Sequence, residues 1–234
     1  MKTTYAGSEQ TRDALINAAG ELAADLGFAN VSTRAIAGRA KANIGSIHYH
    51  FGGKDRLFEA VVQTAIRRWH EFPLSSILKP IEPILDTPKG RSRAIRAVIH
   101  RSISLLFSRK YPRWHSRVFY QLLQYRGPLQ DLIKTELITP ETNFLKTLFK
   151  SIRPGLSDED ALLHAVILIT PVSFHADYMD AVLDALGGKK IVSAKAILKS
   201  WKTFLSNRPS CCSDCRTTET VTIKNKRIAP WHFI

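Results

Sequence analysis

The segment from Asn43 to Asp55, NIGSIHYHFGGKD, sets two histidines around a tyrosine and follows them with two glycines and a lysine. Three kinds of chemistry use such residues: a metal site, a phosphate cradle, and a surface that reads nucleic acid. Metal binding is disfavoured by geometry. On a helix, residues two apart point about 200° away from each other, so His48 and His50 cannot share one ion as an i, i+4 pair could. A nucleotide phosphate loop fails too, because Gly52-Gly53-Lys54 lacks the longer glycine-bracketed loop and the preceding buried strand. The third chemistry fits a short helix that probes the DNA major groove. Ile47 and Phe51, four apart, form its inward face, which turns Ile44, Gly45, Ser46, His48 and Tyr49 outward. Small Gly45 and Ser46 let the backbone approach base edges, and Ser46 or His48 can hydrogen-bond to them. Tyr49 offers its hydroxyl to a phosphate, and Lys54, at the start of the next helix beside free backbone N–H groups, is placed to hold another.

The elements that must position these residues are helices, since apolar residues recur at three and four spacing and strand-like alternation is nearly absent before the last fifteen residues. The expected fold is all-α. A first helix over 9–26 carries Leu15, Ala19, Leu22, Ala23 and Leu26 on one face and ends at Gly27, where a left-handed cap is expected. Ser32 or Thr33 can cap a second, short helix running to Ala40, with Ile36 and Ala37 inward. Asn43 can cap a third over 44–50, stopped by Gly52-Gly53 before Lys54 and Asp55 open a fourth. Short helices of this length are marginal alone, so Leu15, Leu22, Ile36, Ile47 and Phe51 are expected to share a core. Pro73, Pro80, Pro83 and Pro88 predict a loop over 73–88. Helical patterns resume over 89–109, 112–125, 128–151, 157–185 and 189–206.

Composition bounds the function. The 234 residues can bury one large core or a small domain joined to a larger one. No apolar run approaches the roughly 18 residues that suggest a membrane span, and MKTTYAGSEQTRD lacks the apolar stretch of a secretory signal. No membrane association and a cytoplasmic location are therefore expected. The three cysteines, Cys211, Cys212 and Cys215, cannot staple a fold of this size. A structural zinc there would need a fourth ligand, with only His232 nearby in sequence, and thiol sensing is the other alternative. The formal charge of +14 suggests a polyanionic partner. Its excess is mostly C-terminal: Lys plus Arg outnumber Asp plus Glu by 6 to 4 in 1–54, 18 to 14 in 55–186 and 10 to 2 in 187–234.

Over about residues 9–62, a helix ending in "LGF", then "VSTRAIAGRA", then "IGSIHYHFGGKDRLFEAV", the chain resembles the N-terminal DNA-binding domain of the TetR family of transcriptional regulators. Most diagnostic is the short helix ending in Tyr49-His50-Phe51 with a lysine three residues later. The resemblance implies a homodimer that binds double-stranded DNA and answers to a small organic effector, more often a repressor than an activator. It implies that Ser32, Thr33, Tyr49, His50 and Lys54 contact the DNA backbone while Arg34, Gly45, Ser46 and His48 lie near base edges. One departure is plain. The turn between the second and third helices usually carries Gly-Val in the family, and here it reads Lys41-Ala42. A non-glycine residue in a left-handed turn costs on the order of 1 kcal/mol, unless the turn is reshaped. Lys41 can offset that cost by adding a phosphate contact.

The expected organisation is a helix-turn-helix DNA-binding domain over 9–55, a helical ligand-binding and dimerisation domain over 56–206, and a loosely ordered tail over 207–234. "SFHADYMDAVLDALG" and the proline-rich loop resemble a CerR-like or YbiH-like subgroup. The helices at 157–185, apolar nearly all round between Ala161 and Phe174, and 189–206 are expected to build a four-helix bundle across a two-fold axis. A single monomeric core is the alternative. Between Lys89 and Arg126 stand ten Lys or Arg and no Asp or Glu, interleaved with aromatic residues. They are either a solvated basic face beside core aromatics or a pocket for a flat or anionic ligand, with Arg113 or Arg117 at its mouth. Candidate pocket residues are His100, Trp114, Arg117, Tyr120 and His175, while His115 and His164 could also line it. No nucleophile–base pair, acid pair, cofactor loop or metal set rises above chance, so no enzyme activity and no cofactor are expected. The alternative of another class is a binding module or enzyme that keeps the helix-turn-helix unit only as a structural core.

Overall fold

The computed structural model describes residues 3–107, 110–124 and 126–170, all of them helices and the turns between them. His175, the segment 173–187, the helix expected at 189–206 and the cysteine-bearing tail lie outside the described residues, as does the latter part of 157–185. Helix α1 spans Thr3–Leu26, longer at its start than the periodicity predicts. It ends at Gly27, whose positive φ of 77° needs glycine but whose ψ of 149° departs from the left-handed cap expected there, and whose N–H returns to the Ala23 carbonyl at 2.9 Å. Phe28 then folds inward onto Phe58, edge to face with centroids 5.1 Å apart.

Helices α2 (Thr33–Arg39), α3 (Gly45–Phe51) and α4 (Lys54–His70) follow. Leu15, Leu22, Ile36, Ile47 and Phe51 are all buried together, and the same core continues through Val61, Val62 and Ile66 of α4. It also takes in Trp114, Val118 and Leu122 of α7 (Trp114–Gln124) and Leu129 and Ile133 of α8 (Pro128–Ile133). The N-terminal unit therefore shares one continuous core with helices 60 and more residues further along. The α1–α7 contact depends on Gly20: a Cβ there would lie 2.5 Å from the Trp114 ring, closer than packed carbon atoms can sit.

A second core joins α5 (Leu74–Leu78), α6 (Pro88–Phe107), α9 (Thr139–Ile152) and α10 (158–170) through Leu74, Leu78, Ala94, Val98, Leu145, Leu148 and Ala165. The loop expected over 73–88 is here a short helix and a 3-10 turn, Glu82–Ile84. Three of its four prolines begin elements instead of breaking them, while Pro80 lies in the turn after α5. Pro73 stands at the N-cap of α5, Pro83 lies in the first turn of the 3-10 segment and Pro88 opens α6, positions where a missing N–H leaves nothing unpaired. Gly90 permits α6 to cross this segment, since a Cβ there would lie 1.7 Å from the Ile84 carbonyl oxygen.

Pro140 explains a further irregularity. A π-helical turn, Lys134–Ile138, joins α8 to α9. An α-helical residue 140 would donate its N–H to the Glu136 carbonyl, and proline has none to give. That carbonyl instead accepts a hydrogen bond from His70 Nε2 at 3.2 Å, which ties the end of α4 to the turn.

Candidate nucleic-acid interface

The turn from α2 to α3 is built by local hydrogen bonds that the sequence encodes. Ser32 caps α2, its Oγ accepting from the Ala35 N–H at 3.1 Å. At the other end Lys41 N donates to the Gly38 carbonyl at 3.2 Å and Ala42 N to the Ala37 carbonyl at 3.0 Å, the paired bonds of a Schellman motif. Lys41 sits at its left-handed position with φ 51°, the one non-glycine residue with positive φ among the described residues. The strain expected from the Lys41-Ala42 departure is therefore present, and Lys41 is exposed. Asn43 caps α3, its Oδ1 accepting from the Gly45 N–H at 2.8 Å.

Helix α3 has the two faces its spacing predicts. Ile47 and Phe51 are buried, whereas Ile44, Gly45, His48 and Tyr49 are exposed and Ser46 is half-buried. Tyr49 is 82% exposed, far more than a tyrosine held for packing. The histidines part company: His48 faces outward, while His50 is half-buried and lies edge to face with Tyr49, centroids 4.9 Å apart. Gly52, φ 74°, ends the helix with its N–H on the His48 carbonyl at 2.8 Å, and Gly53, φ 151°, turns the chain into α4. Lys54 opens that helix with its Nζ 5.4 Å from the centroid of Phe58. Arg34 is exposed on α2 and Thr33 half-buried beside it. The expected DNA-facing residues thus stand on α2, the turn, α3 and the first turn of α4, with an outward surface that presents hydroxyl, imidazole and cationic groups.

Arg101, on α6, is only 3% exposed and organises the far end of α4. Its Nη1 and Nη2 donate to the two Glu141 oxygens at 2.7 and 2.9 Å, a bidentate pair. Nη2 also donates to the Trp69 carbonyl at 3.2 Å, and Nε donates to the Phe72 carbonyl. Beside it opens a cavity of about 520 Å³, its walls including Phe72, Ile77, Ala97, His100, Arg101 and Tyr111.

Of the expected pocket residues, His100 lines this cavity, within 3.4 Å of Ser104 Oγ. Trp114 and Arg117 are drawn to α1 instead: Trp114 Nε1 donates to Asn17 Oδ1 at 3.2 Å and Arg117 pairs with Asp25 at 2.9 Å. With Gln121, which donates to the Ala24 carbonyl at 3.4 Å, they form the α7 face that grips α1, so their place is structural. Tyr120 is buried within the α7 region. His115 is buried too, and its imidazole is held neutral, its pKa lowered to about 4 by burial and by the nearby Arg68 charge, with Glu71 opposing. His164 is exposed on α10 and bonds the Asp160 carbonyl through Nδ1 at 2.6 Å.

Tyr111 was one of the aromatic residues interleaved with the basic stretch 89–126, whereas Arg68, Arg101 and Phe72 were not named as pocket residues. A signal existed: Arg68 falls between Ala65 and Trp69 on the buried side of α4, and Arg101 falls three after Val98 on the inward stripe of α6. A charge on an apolar stripe marks a position that must find a partner.

Among the described residues, no helix is long and apolar enough to cross a membrane. Comparison with known proteins matches the segment carrying these elements to a family. The model of bacterial regulatory proteins of the tetR family matches residues 15–61, the stretch that holds α2, α3 and most of the core beneath them. The HTH-type transcriptional regulator SrpR of Pseudomonas putida is 25% identical over 156 residues, covering 67% of this chain and 66% of that regulator, just under two thirds of its length. In fold, the chain is similar to AibR, crystallised with isovaleryl coenzyme A and operator DNA: TM-score 0.62, 16% identity, 83% of this chain and 97% of that one. It is also similar to the fatty acid degradation regulator FadR of Bacillus halodurans: TM-score 0.54, 16% identity, 84% of this chain and 98% of that one. The capped helix-turn-helix and the outward α3 face thus lie within the segment, residues 15–61, that matches the family of bacterial regulatory proteins of the tetR type.

Proposed function

We propose that the protein is a ligand-responsive repressor that binds a palindromic operator as a homodimer. The observation that carries it is the outward face of α3, where 82% exposed Tyr49 stands beside His48 over a buried Ile47–Phe51 floor. Residues 9–55 form the DNA-reading part in this proposal and 56–206 the regulatory part, with 207–234 as an appended tail. Ser32, Thr33, Tyr49, His50, Lys54 and Lys41 meet phosphates. Arg34, Gly45, Ser46 and His48 approach base edges.

Two half-sites of a palindrome lie about 34 to 36 Å apart, which requires two copies of α3. The start of α10 supports the pairing, because Leu162, Leu163, Val166 and Ile167 are exposed there, Ile167 at 69%. Such an apolar face is expected to be covered by a second copy. The effector site is the cavity beside Arg101. AibR, of similar fold, was crystallised with both isovaleryl coenzyme A and operator DNA, which supports an effector of organic chemistry here. Arg101 lines the cavity and also holds the Trp69 carbonyl in the last turn of α4, whose first turn carries Lys54. A ligand that alters the Arg101 contacts can therefore shift α4, and a coupling of about 1 to 3 kcal/mol suffices for regulation.

The test is the binding of the protein to its own promoter fragment over a salt series. Sequence-selective retention with a steep salt dependence is expected, and Tyr49→Ala with Lys54→Ala should abolish it. Equal affinity for any duplex would leave only nonspecific attraction by a basic protein.

A further inference from the structure

Arg68 of α4 is 3% exposed, and the two nitrogens along one edge of its guanidinium, Nε and Nη2, are buried with no hydrogen-bond partner. That edge is the fork a carboxylate engages with both oxygens. Arginine does not shed its charge on burial in proteins, so a bare fork inside the molecule demands an acceptor. Glu71, one turn further along α4, does not supply it: its Oε2 accepts from the Tyr111 hydroxyl, and the Tyr111 ring lies over the Arg68 guanidinium, 4.5 Å from centroid to carbon. His115 adds a third buried atom without a partner, Nδ1, with its ring 6.2 Å from that of Tyr111.

Tyr111 also lines the 520 Å³ cavity, together with apolar Phe72, Ile77, Ala97 and Leu105. Phe72 follows Arg68 by one helical turn. A mainly apolar chamber, edged also by His100, Arg101 and Lys110, and a buried, unsatisfied cationic fork thus share one wall, the Tyr111 ring. We propose that the cavity takes an amphipathic carboxylate, its apolar part against Phe72, Ile77 and Leu105 and its head group on Arg68 Nε and Nη2 once Tyr111 moves from over the guanidinium. The assignment rests on the effector-responsive function proposed above and narrows it to a ligand class. A planar monoanion matches one fork and one charge. Because the Glu71 carboxylate is also near Arg68, a singly charged head group meets less repulsion there than a dianionic phosphate.

The test uses the full chain and two probes of equal chain length, decanoate and decan-1-ol, titrated calorimetrically at pH 7.5. Wild type is expected to bind decanoate at least tenfold more tightly than decanol, and Arg68→Met to lose that preference while keeping its affinity for decanol. Tyr111→Phe, which frees the ring from Glu71, is expected to bind decanoate at least as tightly as wild type. If Arg68→Met does not fold by circular dichroism, the wild-type preference and the Tyr111→Phe result decide. Equal affinity for both probes, binding of neither, weaker decanoate binding by Tyr111→Phe, or a preference that survives Arg68→Met overturns the assignment. The promoter complex separates the two proposals. Decanoate that binds with the stated preference yet leaves the complex intact sinks the effector function but not the site, whereas release by other molecules with no decanoate preference does the reverse.

Discussion

Removing Glu141 should destabilise the fold far more than the loss of an ordinary surface ion pair. Arg101 is 3% exposed and Glu141 24%, so the pair lies largely out of water, and Glu141 contributes both oxygens of the bidentate contact at 2.7 and 2.9 Å. Glu141→Ala leaves a buried guanidinium with only the Trp69 and Phe72 carbonyls, both neutral acceptors. Breaking one side of a buried pair costs about 3 to 5 kcal/mol, against roughly 0 to 1 for an exposed pair such as Arg39–Glu21. Replacing both partners, Arg101→Met with Glu141→Leu, removes the stranded charge and should cost about 2 kcal/mol, mainly the donors lost by two carbonyls at roughly 1 kcal/mol each. Urea unfolding midpoints at constant slope measure each variant, and Glu21→Ala serves as the surface control. A Glu141→Ala cost below about 1 kcal/mol, or a double variant as unstable as the single, would refute the claim that desolvated charge sets the magnitude.

Lys41→Gly should raise stability by about 0.5 to 1 kcal/mol, since it relieves left-handed strain at φ 51° but adds unfolded-chain entropy. If Lys41 meets a phosphate, operator affinity should also fall and the salt slope shrink by about 0.9; unchanged affinity and slope rule the contact out. His115 has a folded pKa of about 4, below its ordinary value near 6.5, so the unfolded chain takes up its proton first as pH falls. Its contribution is intact above pH 6.5 and is lost progressively toward pH 4, on the order of 3 kcal/mol in all, and His115→Gln should flatten the stability profile by that amount in unfolding titrations. A variant profile parallel to wild type would contradict the burial of a neutral imidazole. Ile167→Glu should turn a dimer into a monomer at micromolar concentration in sedimentation equilibrium. A variant that stays dimeric would move the interface away from this part of α10, and a monomeric wild type would end the homodimer proposal.

The features legible in the sequence are those whose causes lie within a few residues. Ser32 and Asn43 stand three and two residues before the N–H groups they cap, Gly27 and Gly52 take positive φ at helix ends, and Lys41 shows as an outlier because its neighbours define the turn. The spacing of Ile47 and Phe51 likewise fixes which side of α3 is left for DNA. The prolines of 73–88 show where local signals become ambiguous, because the same residue stops one helix or starts the next.

Tertiary structure decided the rest. Trp114 and Arg117 look like pocket residues until α7 packs against Asn17 and Asp25, more than ninety residues earlier. Arg101 meets Glu141 forty residues on, and Arg68 meets Tyr111, only because α4, α6 and α9 converge where α4 ends. The sequence alone determined most of the described helices, their caps and the outward face of α3, because backbone hydrogen bonds and side-chain periodicity act over one or two turns. Which buried charges find partners, and which is left open beside a cavity, was settled by packing between distant helices, whose contacts no local spacing records.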